Sequence, residues 1–389
     1  MRLYKHLKWV FVPTLLVAIS PIHAQENQAY IGIFAETAAT RIAGAPLPKL
    51  PPGVNLSDLA KLPPGVKLPP QLAAALAMLK GAQRKITVRL WSPGLAPDGA
   101  TAALTVPEGL MIGPKLDLEL YSPKGEEGDL PPGAPTSLPD FSIKRYWGSS
   151  ATAKASQPEV FDLKSLTPEQ KVMMRSQAMK MRQTTDSYFY KPNWTTAYFP
   201  PSKGVTAVPD EGALAGNYLL TSSYTGKVEM DVPDTVNFLP AIEMTSPNMD
   251  KAVPMEDALV FRWKPVPNVI GYSANIIGME GQKTIVMWNS AEEKPDMGLA
   301  FDYLEMAQVR DLVSRKMVMG KDTIEMTIPA GIFKDCDFVM FQMIGYGPGS
   351  AIEKGQPLPR LQTKTTLGIT LGGKKIKDAL GRKGQEGEK

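Results

Sequence analysis

Few residues in this chain can do chemistry, and their scarcity sets the first limits. The 389 residues include two histidines, His6 and His23, and one cysteine, Cys336. Both histidines lie in an N-terminal stretch that reads as a secretory signal peptide, residues 1–24. Arg2, Lys5 and Lys8 precede an apolar run from Val10 to Ile19. Pro21 to Ala24 then give a helix breaker and a small residue before a cut at Gln25. The run is too short to span a bilayer comfortably, and no later segment is apolar enough to do so. Without its leader the chain has no histidine. That excludes Ser-His-Asp and Cys-His catalysis, zinc sites of the His and Cys type, and an intrachain disulfide. Cys336, between Asp335 and Asp337, reads either as a small partly buried residue or as a site of intermolecular pairing.

Carboxylates remain. Glycoside hydrolysis needs only two of them about 5–10 Å apart, but the sequence singles out no pair among its 39 acidic residues. Phosphate-binding, dinucleotide and calcium loops are missing, as is the Ser-x-x-Lys pair of histidine-free acyl transfer. No catalytic residue, cofactor or metal is therefore assigned, and the ligand-binding residues are unknown. Lysine and arginine total 43. Three of these sit in the leader, and residues 374–389 hold another excess, so the body of the chain is near neutral. It offers no basic face for nucleic acid.

Two clusters have a sharper reading. Met173, Met174, Met179 and Met181 share one segment, expected to be a helix near 167–184 that starts at Thr167-Pro168-Glu169-Gln170 with a cap and a first-turn proline. Thioethers are soft ligands that could handle copper(I). They are equally suited to adaptable core packing. Tyr188, Phe189, Tyr190, Trp194, Tyr198 and Phe199 form an aromatic segment, 188–199, that is either core at a seam or a ligand platform. Tyr146 and Trp147 are adjacent, so on a strand they point to opposite faces. Either they pack on two sides, or one of them belongs to a carbohydrate-stacking surface.

Strands must position most of these groups. Residues 30–34 read as a short strand. Residues 46–70 repeat Leu-Pro-Pro-Gly-Val and read as an extended spacer. Gln71 to Arg84 has helical spacing at Leu72, Ala75, Leu76 and Leu79. Period-two patterning then covers 85–91, 101–106, 116–121, 143–147 and much of 217–236. It returns at Leu259, Phe261 and Trp263, and again, after the Pro265–Pro267 corner, at Tyr272, Ala274 and Ile276. Further strands are expected at 284–288, 324–328 and 338–344. A helix is expected at 301–316 and a turn at Tyr346-Gly347-Pro348-Gly349.

The apolar-x-Trp strand Leu259–Trp263, the proline corner and the Gly271-Tyr272 strand opening resemble the start of a fibronectin type III or related immunoglobulin-like module. The resemblance covers about 240–350 and implies a β-sandwich with Trp263 and Tyr272 in its core. It implies no activity, because such modules host many functions. Tyr146-Trp147-Gly148 is similar to a strand of uncharacterised exported bacterial β-proteins.

The sequence thus predicts a mainly β chain with two β-sandwich-like domains and a few helical insertions. A signal peptide, 1–24, precedes a Pro-rich N-terminal segment with a short helix, 25–84. A first β-domain covers 85–239, the fibronectin-like sandwich 240–350, and a flexible C-terminal tail 351–389. The expected role is that of an exported, non-catalytic binding or structural protein of the cell envelope or extracellular space. Its partner would be a protein or an envelope glycan. Glycan binding or hydrolysis, and copper handling, stand as alternatives.

Overall fold

A computed structural model of the protein describes residues 29–44, 81–93, 95–121, 141–162, 165–167, 169, 194–201, 207–295, 302–351 and 360–372. Alternating apolar residues decide most of its strands. In chain order these are β1 (Tyr30–Ile42), β2 (Ala82–Ser92), β3 (Ala102–Thr105), β4 (Lys115–Tyr121), β5 (Ser142–Trp147), β6 (Glu159–Asp162), β7 (Thr195–Phe199), β8 (Ala207–Val208) and β9 (Gly216–Ser222). They continue as β10 (Val228–Val232), β11 (Met244–Ser246), β12 (Leu259–Trp263), β13 (Gly271–Glu280), β14 (Thr284–Asn289), β15 (Met319–Gly320), β16 (Glu325–Ile328), β17 (Phe338–Ala351) and β18 (Arg360–Gly372). The α-helix α1 (Met306–Ser314) starts at a capping box between Glu305 and Gln308.

The protein is mainly β, and its strands form one continuous mixed sheet rather than two separate ones. Its 15 strands run in the order β10-β9-β3-β4-β7-β2-β1-β18-β17-β13-β14-β5-β6, with β8 and β15 beside the path. A second, three-stranded sheet has the order β11-β12-β16. β1 and β18 are the long central pair, parallel from Gly32↔Arg360 to Ile42↔Thr370.

Both main cores lie on one side of this sheet, here called inner. The first contains Ile33, Val88, Leu104, Leu118, Ala197, Tyr218, Met230 and Leu361. The second contains Phe261, Trp263, Tyr272, Ile276, Trp288, Phe341, Leu367 and Ile369. β1 and β18 run from one core to the other. In the second, β11-β12-β16 lies across β14-β13-β17-β18. Phe261 stacks on Phe341 with centroids 4.7 Å apart, and Trp263 meets Tyr272 edge-on at 5.5 Å. The first core is enclosed by the sheet itself, which bends round until the Asp231 carbonyl on β10 lies 3.5 Å from the Ser350 hydroxyl on β17.

Several expectations are corrected. The flexible tail 351–389 contains β18, paired on both edges. Its threonines favour strand, and its polar side chains are buried by a segment distant in sequence. Ala82–Arg84, expected to end a helix, open β2, because Ala39, Ala38 and Thr37 offer them a paired edge. The short strand 30–34 is 13 residues long. The turn at 346–349 is an irregularity inside β17, where the register shifts between Tyr346 and Gly349. Gly347 is required there, since a Cβ would fall 2.2 Å from the Thr363 hydroxyl. β5, placed by sequence in the first β-domain, pairs instead with β14, and β6 extends the sheet from β5. The Pro-rich spacer, almost all of the helix near 167–184 and Tyr188–Asn193 lie outside the described residues.

Candidate functional site

The opposite, outer side of the sheet brings chemistry together. On β18 the alternating residues Arg360, Gln362, Lys364 and Thr366 point outward, yet each is at most 7% exposed. A strap at 302–305, just before α1, meets Arg360 and Lys364. The Lys364 ammonium donates to Asp302, sits 3.9 Å from the Tyr303 ring centroid and lies 3.9 Å from Glu36 on β1. Arg360 donates to Glu305. Thr366 donates to Glu36. Tyr303 also packs against Phe34, centroids 4.8 Å apart.

Burial, with Glu36 and Asp302 nearby, holds the Tyr303 hydroxyl well above its usual titration range. Burial does the same to Tyr346 on the neighbouring β17. Phenols so placed stay neutral. Asp302 and Glu36 are the counter-ions of one lysine, and Glu305 that of one arginine. The arrangement holds the strap, β1 and β18 together through ion pairs whose partial burial makes loss of one member costly.

β18 also separates two unlike outer surfaces. On the N-terminal side the outward positions are polar or aromatic: Lys115, Asp117, Glu119 and Tyr121 on β4, and the half-buried Tyr198 on β7 with the Arg89 guanidinium 5.4 Å above its ring. Trp194 stacks on Tyr30 at 5.5 Å with an interplanar angle of 17°. Tyr121 is 54% exposed.

On the C-terminal side the pairing register lines up an apolar row across five strands: Phe338, Met279, Ile285, Ile143 and Phe161. A second row, Met340, Ile277 and Met287, runs beside it. None of the eight is buried, and Ile277, Phe338 and Met340 are 40–47% exposed.

The residues singled out by sequence are dispersed. Trp147 is buried while Tyr146 packs against the second core, so the two pack on both sides of β5. Met173, Met174, Met179 and Met181 lie outside the described residues. Cys336 is free and buried, 2% exposed, with its sulfur so close to Gly278 that a Cβ there would meet it at 2.6 Å. Burial pushes its thiol up to about 12, which leaves it inert rather than poised for pairing between chains. Among the described residues no three His, Cys, Asp or Glu side chains converge on a metal-sized site. No helix there is long and apolar enough to cross a membrane.

An open groove of about 550 Å³ beside α1 is lined by Lys154, Lys316, Glu292, Glu293 and Glu325 among others. Its charges of both signs favour no one ligand. Sequence reasoning missed Arg360, Lys364 and the strap, although the alternation of Leu361 and Leu367 with polar residues was a period-two signal. It also missed the apolar rows, which only strand register assembles.

No protein-family model matches the chain, and no curated protein matches it in sequence.

Proposed function

We propose that the chain is an exported, non-catalytic binding or structural protein of the cell envelope or extracellular space. One observation carries this reading. The charged groups gathered under the strap are used up in ion pairs, whereas the broad unpartnered surface beside them is apolar. Spent charges favour a structural role for the seam. A contiguous exposed apolar surface favours contact with another molecule. The basic and apolar leader supports export.

The three-stranded sheet facing β14-β13-β17-β18 supports reading 240–350 as a fibronectin type III or immunoglobulin-like sandwich with an insertion at 289–322. The self-enclosed N-terminal half then serves as a second β-domain. Crosslinking in the native host, followed by identification of covalent partners, tests the assignment. An envelope protein or glycan partner is expected, together with an N terminus at Gln25. An uncut chain in the cytoplasm would sink it.

A second reading, carbohydrate binding, is favoured by Trp194, Tyr198 and the exposed Tyr121 on one outer surface. Ring faces of this kind stack on the C–H faces of sugars. Glycan-array binding that disappears in Trp194→Ala is the expected result. Silence across all glycans removes this reading.

A further inference from the structure

We infer that Lys364 and Asp302 are a modification site, at which the protein forms an isopeptide bond on itself with Glu36 relaying the protons. The bond ties the strap before α1 covalently to β18. Three groups meet at one nitrogen. The Lys364 side chain is 7% exposed, and its ammonium donates to Asp302 on the strap. Glu36 lies directly across from Lys364 in the β1–β18 register, with its carboxylate 3.9 Å from the same nitrogen. The Thr366 hydroxyl donates to Glu36 and holds it in place. The Tyr303 ring, with its centroid 3.9 Å from the nitrogen and packed on Phe34, walls the site with aromatic carbon. A buried amine between two carboxylates has what amide formation needs: a nucleophile, an electrophilic carbon and a separate proton carrier.

The roles follow from position. Glu36 takes a proton from the ammonium and passes it to Asp302, and the freed Nζ attacks the Asp302 carboxyl carbon. The N–C bond forms and one C–O bond of Asp302 breaks. That oxygen leaves as water with two of the three ammonium protons, both relayed through Glu36. The third proton stays on the amide nitrogen, and Glu36 ends as it began. A cation and an anion become one neutral amide, so charge balances, and no oxidant, metal or cofactor enters. Neighbours held in contact react as though at effective concentrations of about 10⁵–10⁸ M. Burial favours the product, because a neutral amide no longer bears the desolvation cost of two charges. The bond also supplies what the chain otherwise lacks. Its single cysteine, Cys336, is free, so no intrachain disulfide braces it. Asp302 and Lys364 are 62 positions apart, and a crosslink across such a loop restricts the unfolded chain.

Amide formation depends on neither compartment nor ligand, so it can fail or stand apart from the proposed function. Intact mass spectrometry of the purified, denatured protein should give a mass one water below that of its sequence. A protease digest should contain a branched peptide joining Asp302 to Lys364. Glu36→Gln, which cannot relay the proton, should restore the full mass with an unchanged circular dichroism spectrum. Lys364→Arg, which keeps the cation but not the nucleophile, should do the same. The parent's own mass needs no variant to fold, and the full mass there overturns the inference. Loss of water without a branched peptide, as when an aspartate cyclises alone, overturns it too. A branch from Lys364 to Glu36 has the same consequence, as does a Glu36→Gln protein that is still folded and forms the bond as fully as the parent.

Discussion

The outer surface of the sheet changes character at β18. On the N-terminal side, β4, β7 and β2 turn Lys115, Asp117, Glu119, Tyr198 and Arg89 outward. On the C-terminal side, β13, β14 and β17 turn out Ile277, Met287 and Met340. Between them the strap closes over Lys364 and Arg360. The inner side is mainly apolar in both halves, with Thr37, Thr363 and Thr365 buried where β1 and β18 join them. The contrast therefore arises from what each half meets on the outside. On the first surface the aromatics Phe34 and Trp91 are covered by Trp194 and Tyr303 and the rest is polar, whereas the second is apolar and open.

The largest expected effect tests the boundary itself. Lys364→Ala leaves Glu36 and Asp302 without their shared counter-ion and Tyr303 without its cation. It should cost about 3 kcal/mol in urea unfolding. A change of only a few tenths would mean that the strap is a surface contact.

Two adjacent isoleucines then compare the two sides of one strand. Ile276→Ala, at 0% exposure in the second core, should cost about 2–4 kcal/mol. Ile277→Ala, 43% exposed, should cost the monomer less than about 1 kcal/mol. Equal losses would show that something already buries the outer row.

A smaller effect concerns pH. Unfolded, the Cys336 thiol loses its proton near its ordinary value of 9, whereas in the fold it holds on until about 12. Between these values the unfolded state binds fewer protons, so stability falls as pH rises through that window. Cys336→Ala should flatten the alkaline limb of a melting-temperature profile, and an unchanged profile refutes the assignment. Alkylation of the native thiol at pH 8 should be slow compared with the unfolded protein.

The least effect belongs to the polar surface. Lys115→Ala removes a pair with Asp117 whose side chains are 56% and 83% exposed. It should change stability by no more than about 0.5 kcal/mol and leave sedimentation unaltered. A larger change would show that this side, too, has a partner.

Much of the fold was legible because alternation is local. Ile86, Val88 and Leu90 announce β2, and Leu259, Phe261 and Trp263 announce β12, through side chains two residues apart that must share a face. The core placement of Trp263 and Tyr272, implied by the fibronectin-like resemblance, is met by their edge-on contact. Met306–Ser314 fell inside the expected helix. β18 was not legible, because a strand of threonines with a lysine and an arginine looks solvated until the strap is known to cover it. The apolar rows were also invisible. Phe161, Ile143, Ile285, Met279 and Phe338 come from four separate stretches of chain, and only hydrogen-bond register brings them side by side.

By itself the sequence determined the mainly β character and the absence of histidine after His23. The tertiary structure decided which polar residues are buried, how the strands merge into one sheet and where its outer surface turns apolar. The reason is physical. Backbone geometry fixes which face a side chain takes relative to its neighbours two residues away. What lies against that face is set by strands and loops hundreds of residues distant, whose pairing no local pattern encodes.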